Sequence, residues 1–473
     1  MKKVIKAVGF VLLLFFISSA VWAGKPKYVF YFIGDGLGFS QRQLAELYIK
    51  EKERNPAHRL VMNSFEVAGV ITTHAANSLI TDSAAAGTAL ACGIKTNNGV
   101  IGKDPAGNNV TTLIEAAEAK GLATGIISTT RLTHATPAAF AAHNVSRRNE
   151  AEIARDVLSS GVEFLSGGGI SYFIPQHPDT EAKDALGKAL VSKRKDNTNL
   201  VGKFKSKGYR TYIGLQGTLE FSKANFSKAE KMLALFTNSH LPYEIERRHK
   251  YQHIPSLARI TKAGIEVLRK DPDGFFMVVE GGRIDHAAHS NDPVSVIYDT
   301  LALDEAVRAA HRFYLEHRKE TLIVVAADHE TGGLGLGMDT LGFRLNLSAL
   351  FNTRVSVGDT LNRSNSYRGD RSGYLHFLDT QFGLNNLSSK EAARLQKSMS
   401  DMDSGKGGEY ISPVALTAAR ILSERANIGW TTTIHTGTVI PLSATGVEAQ
   451  RFSGWMDNTQ VALIMADLMD FEF

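Results

Sequence analysis

Four runs of apolar, largely β-branched or aromatic residues punctuate the chain: KYVFYFIG (27–34), LATGIIST (122–129), GFFMVVEG (274–281) and TLIVVAAD (321–328). None alternates polar with apolar, so each predicts a strand buried on both faces, the pattern of a parallel sheet. Between them, TTLIEAAEAKG (111–121), SLARITKAGIEVLRK (256–270) and VSVIYDTLALDEAVRAAHRFYLEH (294–317) read as helices. This alternation predicts an α/β fold, a three-layer sandwich with a mostly parallel central sheet. Beyond residue 340 the texture turns rich in Gly, Ser, Asn and Asp until strand-like TVIPLSATG (438–446), so about 340–430 reads as an inserted cap. The basic stretch 187–208 reads as a solvated surface excursion. There is no internal repeat and no low-complexity tract.

The first 23 residues change the picture of where the protein works. Lys2, Lys3 and Lys6 precede an apolar run from Val8 to Ile17, and small residues follow up to Ala23. This is the pattern of a cleaved secretory signal peptide; a retained anchor is the competing reading, but the run is shorter than a spanning helix needs. Residues 24–473 are then the mature domain, periplasmic or secreted, with no stable membrane span. Loss of the leader takes three lysines from a formal charge of +5, leaving about +2, which gives no case for a nucleic acid partner. The single Cys92 cannot close an internal disulfide, and within its Ala-rich segment it reads as a small buried hydrophobe.

Three predicted strands run straight into acidic or imidazole groups: Asp35 in IGDG, Glu280, Asp285, His286 and His289 in VVEGGRIDHAAH, and Asp328 and His329 in AADHETGG. Ligands of open α/β sheets bind at that edge. One such carboxylate could merely cap the next helix, but repetition on several strands points to a site. IGDGLGFS is not a dinucleotide fingerprint, because its third glycine position is Phe39 and Asp35 would repel a pyrophosphate. Glycines on both sides of Asp35 leave its carboxylate open to a cation. Asp285 and His289, four residues apart, share a face if their segment is helical, and mixed Asp and His sets suit zinc. His435, in IHTG, offers a third ligand.

In TDSAAAGTALACG (81–93), Asp82 and Ser83 open a helix of small residues. Either could be a plain N-cap; alternatively, free N–H groups at the helix start would receive an oxyanion attacked by Ser83. No G-x-S-x-G elbow and no triad partner set is present, so a serine nucleophile here needs a metal to activate it.

IGDG, TDSAAAGTA, THATPAAFAAHNVSR, FFMVVEGGRIDHAAH, VVAADHETGG and IHTG occur in the order seen in alkaline phosphatases, which the chain resembles over nearly its whole mature length. The resemblance implies a phosphomonoesterase with two zinc ions and one magnesium, in which Ser83 forms a phosphoserine. Arg147 would clamp the phosphate, positioned by Asp82; chemistry alone does not separate it from Arg148. The implied ligand sets are Asp285, His289 and His435 for one zinc; Asp35, Asp328, His329 and Ser83 for the other; and Asp35, Thr136 and Glu280 for magnesium. His134 and His286 stand where some bacterial members carry Asp and Lys, so His134 is expected beside the third metal. His286 is expected beside the phosphate, titrating near neutrality. A homodimer is also implied. A phosphodiesterase, phosphonate hydrolase or sulfatase on the same scaffold is the alternative enzyme; a non-catalytic phosphate or metal binder is the alternative class.

Overall fold

The computed structural model describes residues 24–473 apart from 180, 340 and 409, so the signal-peptide segment lies outside the described residues. Its centre is a ten-stranded sheet. In chain order the strands are β1 (Tyr28–Gly34), β2 (Val67–Thr72), β3 (Ala123–Arg131), β4 (Phe164–Gly168), β5 (Arg210–Ile213), β6 (Met232–Leu235), β7 (Phe275–Glu280), β8 (Thr321–Ala327), β9 (Ile440–Gly446) and β10 (Gly454–Asp457). Across the sheet they run β10-β2-β9-β8-β1-β7-β3-β4-β6-β5. β9 alone runs against its neighbours, so the sheet is mostly parallel as the uninterrupted apolar runs predict.

β1, β7 and β8 are buried along their whole length because helices cover both faces. Phe39–Lys52, Leu257–Leu268 and Pro293–Glu316 pack together in one layer; Ser83–Cys92, Leu113–Ala119 and Asn458–Leu468 form the other. The result is a three-layer α/β sandwich. β2 alternates buried and accessible residues, as a strand near the sheet edge does. β4, β5 and β6, four or five residues each, are too short to register as apolar runs in the sequence.

The chain between β8 and β9 adds no strand to this sheet. It carries the helices Arg371–Gln381, Ser389–Asp403 and Pro413–Arg425. Two small ribbons tie it back: Leu334–Leu336 pairs with Ile428–Trp430, and Glu330–Thr331 pairs antiparallel with His435–Thr436. The stretch 187–208 is less detached than its polarity suggests. The Arg194 guanidinium is buried against Asp196, the Ala151 carbonyl and the Tyr172 carbonyl, and Leu200 and Phe204 enter the core.

Candidate active site

Parallel strands all end on the same edge of the sheet, so β1, β7 and β8 deliver Asp35, Glu280 and Asp328 to one place. The short helix Arg283–His289 follows β7 directly and puts Asp285 and His289 on one face, their Oδ1 and Nε2 3.3 Å apart. His435 arrives by the ribbon, whose register sets it opposite Thr331, two residues beyond His329. No local sequence pattern states that pairing.

The helix Ser83–Cys92 begins at the site. Asp82 is its N-cap, accepting the Ala85 N–H at 3.0 Å, and Gly93 closes it in the left-handed conformation that glycine adopts freely. Capping does not use up Asp82: its Oδ2 also accepts Arg147 Nη1 at 3.0 Å. Gly87 lets the helix approach the Thr136 backbone, since an added Cβ would lie 3.3 Å from the Thr136 Cα. Ser83 Oγ lies 3.1 Å from His329 Nε2.

Hydrogen positions follow from the partners. The Thr331 hydroxyl donates to Asp285 Oδ1 at 2.6 Å, so its oxygen accepts from His329 Nδ1 at 3.2 Å and leaves a lone pair on His329 Nε2. That lone pair faces Asp35 Oδ1 and Asp328 Oδ2, each at 3.4 Å. His289 Nδ1 donates to the Thr433 carbonyl at 2.6 Å and His435 Nδ1 to the Thr81 carbonyl at 2.9 Å. Their Nε2 atoms therefore meet at 3.2 Å beside Asp285, where the proton that His289 takes up holds the place of a cation. Imidazole nitrogens and carboxylates converging in this way suit a shared cation, and outer carbonyl partners that fix each ring are typical of metal-ligating histidines.

The third group is richer in oxygen. Glu280 accepts the hydroxyls of Ser128 and, at 3.1 Å, Thr130 through one carboxylate oxygen, while its other oxygen is buried without a partner. Thr136 Oγ1 is 3.5 Å from Asp328 Oδ2 and also faces Glu280. Both oxygens of Asp35 are buried and unpartnered among the described residues. His134 joins Asp35 and Glu280, with donor atoms within 4.8 Å of one another. Arg147 Nη2, which can only donate, lies 3.2 Å from His134 Nε2, so His134 carries its hydrogen on Nδ1.

Burial, then the charges of Asp328, Asp285 and Glu280, pushes Asp35 far above the usual carboxyl range; burial and Asp285 do the same to Asp328. Burial lifts Glu280 to about 7. Burial also works to raise Asp285, but His289, His435 and His329 outweigh it and hold it well below the usual range. His289 is pushed to about 9, burial opposing and Asp285 prevailing. The site attracts positive charge.

His286 departs from the expectation of titration near neutrality. Burial, followed by the Arg283 guanidinium, lowers it well below its ordinary value, which favours the neutral ring. Ser83, Arg147, His286, His289 and His435 line one cleft of about 840 Å³. His240, Arg131, Arg283 and Asp359 line it too, and sequence reasoning passed over all four. Arg283 lies inside a recognised motif; His240 follows β6, which no pattern announced. Cys92 is buried and its thiol raised, far from a reactive state.

A sheet edge carrying clustered carboxylates and imidazoles beside a guanidinium defines a metal-dependent enzyme of phosphate chemistry. The family model "Alkaline phosphatase" matches residues 26–471, and the chain belongs to that family. It is 33% identical over 446 residues to Alkaline phosphatase 3 of Bacillus subtilis (strain 168), covering 92% of this chain and 87% of that protein. Its fold superposes on Thermus thermophilus alkaline phosphatase with a TM-score of 0.80 at 28% identity, over 95% and 92% of the two chains. A mutant TAB5 alkaline phosphatase, described with Mg bound in its M3 site, matches at 0.66 and 25% identity over 95% of this chain and 100% of that one. The protein is a metal-dependent phosphoric monoester hydrolase.

Proposed function

We propose that the protein is an exported alkaline phosphatase that hydrolyses phosphate monoesters through a phosphoserine on Ser83, using two zinc ions and one magnesium ion. The observation that carries this reading is the placement of Ser83 Oγ 3.1 Å from His329 Nε2, at the start of a helix whose cap, Asp82, holds Arg147. Asp285, His289 and His435 would hold one zinc; Asp35, Asp328 and His329 would hold the other. Their imidazole content suits that metal. Asp35, Thr136 and Glu280 offer oxygen to a hard cation. His134, whose Nδ1 is buried without a partner, stands beside that set. When bound, the ions neutralise the carboxylates, lower the pKa of the serine hydroxyl and of water, and stabilise the leaving oxygen.

The chain's own groups then have defined tasks. Arg147, braced by Asp82, forks two phosphoryl oxygens. The Ser83 and Ala84 N–H groups, free of helical partners, face the same anion. Ser83 Oγ, its proton passed to solvent, attacks phosphorus in line with the ester oxygen, whose P–O bond breaks and which leaves and takes up a proton as the alcohol. Water then attacks from the side opposite Ser83, breaking the Oγ–P bond, returning a proton to Ser83 and releasing phosphate. The leader at 1–23 supports a periplasmic or secreted location, the chain between β8 and β9 supports a cap of about 340–430, and the family resemblance supports a homodimer. Among the described residues no helix is long and apolar enough to cross a membrane.

A diester keeps only two unesterified oxygens, so it cannot fill the fork of Arg147 and also leave a third for the metal side of the site, and the charge-assisted contact it gives up is worth about 1.5–3 kcal/mol. p-Nitrophenyl phosphate is therefore turned over at least roughly tenfold better in kcat/KM than its bis-ester; preference for the bis-ester would overturn the monoesterase reading. His286→Lys replaces a neutral donor with a cation, so it slows phosphate release and tightens inhibition by phosphate roughly 5-fold. Equal or weaker inhibition rejects that placement of His286.

A further inference from the structure

Arg283 has no part in the reaction above, yet few side chains of the cleft are held so closely. Its side chain is 3% exposed, and its guanidinium lies over the Tyr243 ring, 3.6 Å from the centroid. Nη2 donates to Asp359 Oδ2 at 2.6 Å, and Nη1 lies 3.1 Å from His286 Nδ1. Guanidinium has no acceptor and keeps its charge, so the last contact has one sense: Nη1–H donates and Nδ1 accepts. A neutral imidazole that accepts at Nδ1 carries its hydrogen at Nε2, on the far side of the ring from Arg283. Arg283 precedes His286 by three residues on the helix Arg283–His289, which keeps the two on one face. The His240 ring, 4.4 Å from that of His286 between centroids, crowds the imidazole from another side.

We infer that Arg283 is a positioning residue that locks His286 in the tautomer presenting Nε2–H to the phosphoryl oxygens. Asp359, in the segment Val357–Ser364 of the chain between β8 and β9, anchors the guanidinium, so that inserted segment reaches the reacting group through two hydrogen bonds. An arginine three residues from a motif histidine thus acts on the phosphate without touching it. The inference rests on the phosphatase reading proposed above.

A double-mutant cycle on the metal-loaded enzyme tests it, with inhibition by inorganic phosphate as the readout. Arg283→Met frees His286 to take either tautomer and weakens inhibition roughly 5-fold; Asp359→Asn weakens it roughly 2-fold. Combined with His286→Ala, each change loses its effect, because the group it acts through is gone. A purely structural role gives the same fold-change with or without His286, and that additivity overturns the inference, as does undiminished inhibition of Arg283→Met. Should Arg283→Met fail to fold, Asp359→Asn with and without His286→Ala decides alone. Wild-type enzyme insensitive to phosphate would overturn the phosphatase reading itself, and this inference with it.

Discussion

Dialysis against a chelator lowers turnover at least roughly a thousandfold, reduces the unfolding temperature, and leaves a protein that zinc and magnesium together restore. Asp35, Glu280, Asp285 and Asp328 are all buried, within one site. A buried ionised carboxylate without a partner costs several kcal/mol, and both oxygens of Asp35 have none among the described residues. Metal ions offset that penalty in the folded state only, so their removal destabilises.

The stripped protein also has a pH-dependent stability. Burial raises the folded-state Glu280 to about 7, and burial with the neighbouring carboxylates raises Asp35 and Asp328 well above their unfolded values. Between the unfolded and folded pKa values the folded chain binds more protons, so stability falls as pH rises. Metal-free protein is therefore less stable at pH 8.5 than at pH 7, a window in which His134, His240, His286, His329 and His435, all held below their ordinary value, are neutral in both states and drop out. The loaded protein lacks this loss, because cations replace the protons. Thermal unfolding at the two pH values, before and after chelation, checks both statements; full activity and an unchanged midpoint after verified metal removal would contradict them.

Ser83→Ala lowers turnover at least roughly a thousandfold while metal content and fold persist. The substitution is mild for structure. Ser83 stands at the first helical position, the cap belongs to Asp82, and alanine fits among Ala84, Ala85 and Ala86. The lost contact is the 3.1 Å approach to His329, so stability changes by no more than about 1 kcal/mol. Chemistry loses its nucleophile altogether. Metal analysis beside the kinetics separates the two effects, and a variant that keeps both its metals and its rate would remove Ser83 from the mechanism.

How much of this was legible beforehand depended on the range of the information. Buried parallel strands are continuous apolar runs, so β1, β7 and β8 and the carboxylates after them could be read directly. Asp285 and His289 were legible because four residues is one helical turn. His435 was only a weak candidate, since its place depends on pairing across some hundred residues of chain. Asp82 and Ser83 looked like competing caps; in the fold one residue caps and the other faces the site. The neutrality of His286 was out of reach, because it comes from burial and from Arg283, whose own position depends on Asp359 and Tyr243 far along the chain. His240 and Arg131 were hidden for a similar reason: their contact joins the ends of β3 and β6, strands that only the sheet order brings near each other.

A covalent phosphoserine can be trapped by acid quenching of the metal-loaded enzyme during turnover of a phosphorus-labelled monoester. Peptide mapping of the trapped protein is predicted to find the label on the peptide containing residues 81–93, at Ser83, and to find none in Ser83→Ala. A label that maps to another residue, or sustained turnover with no covalent label, would contradict it.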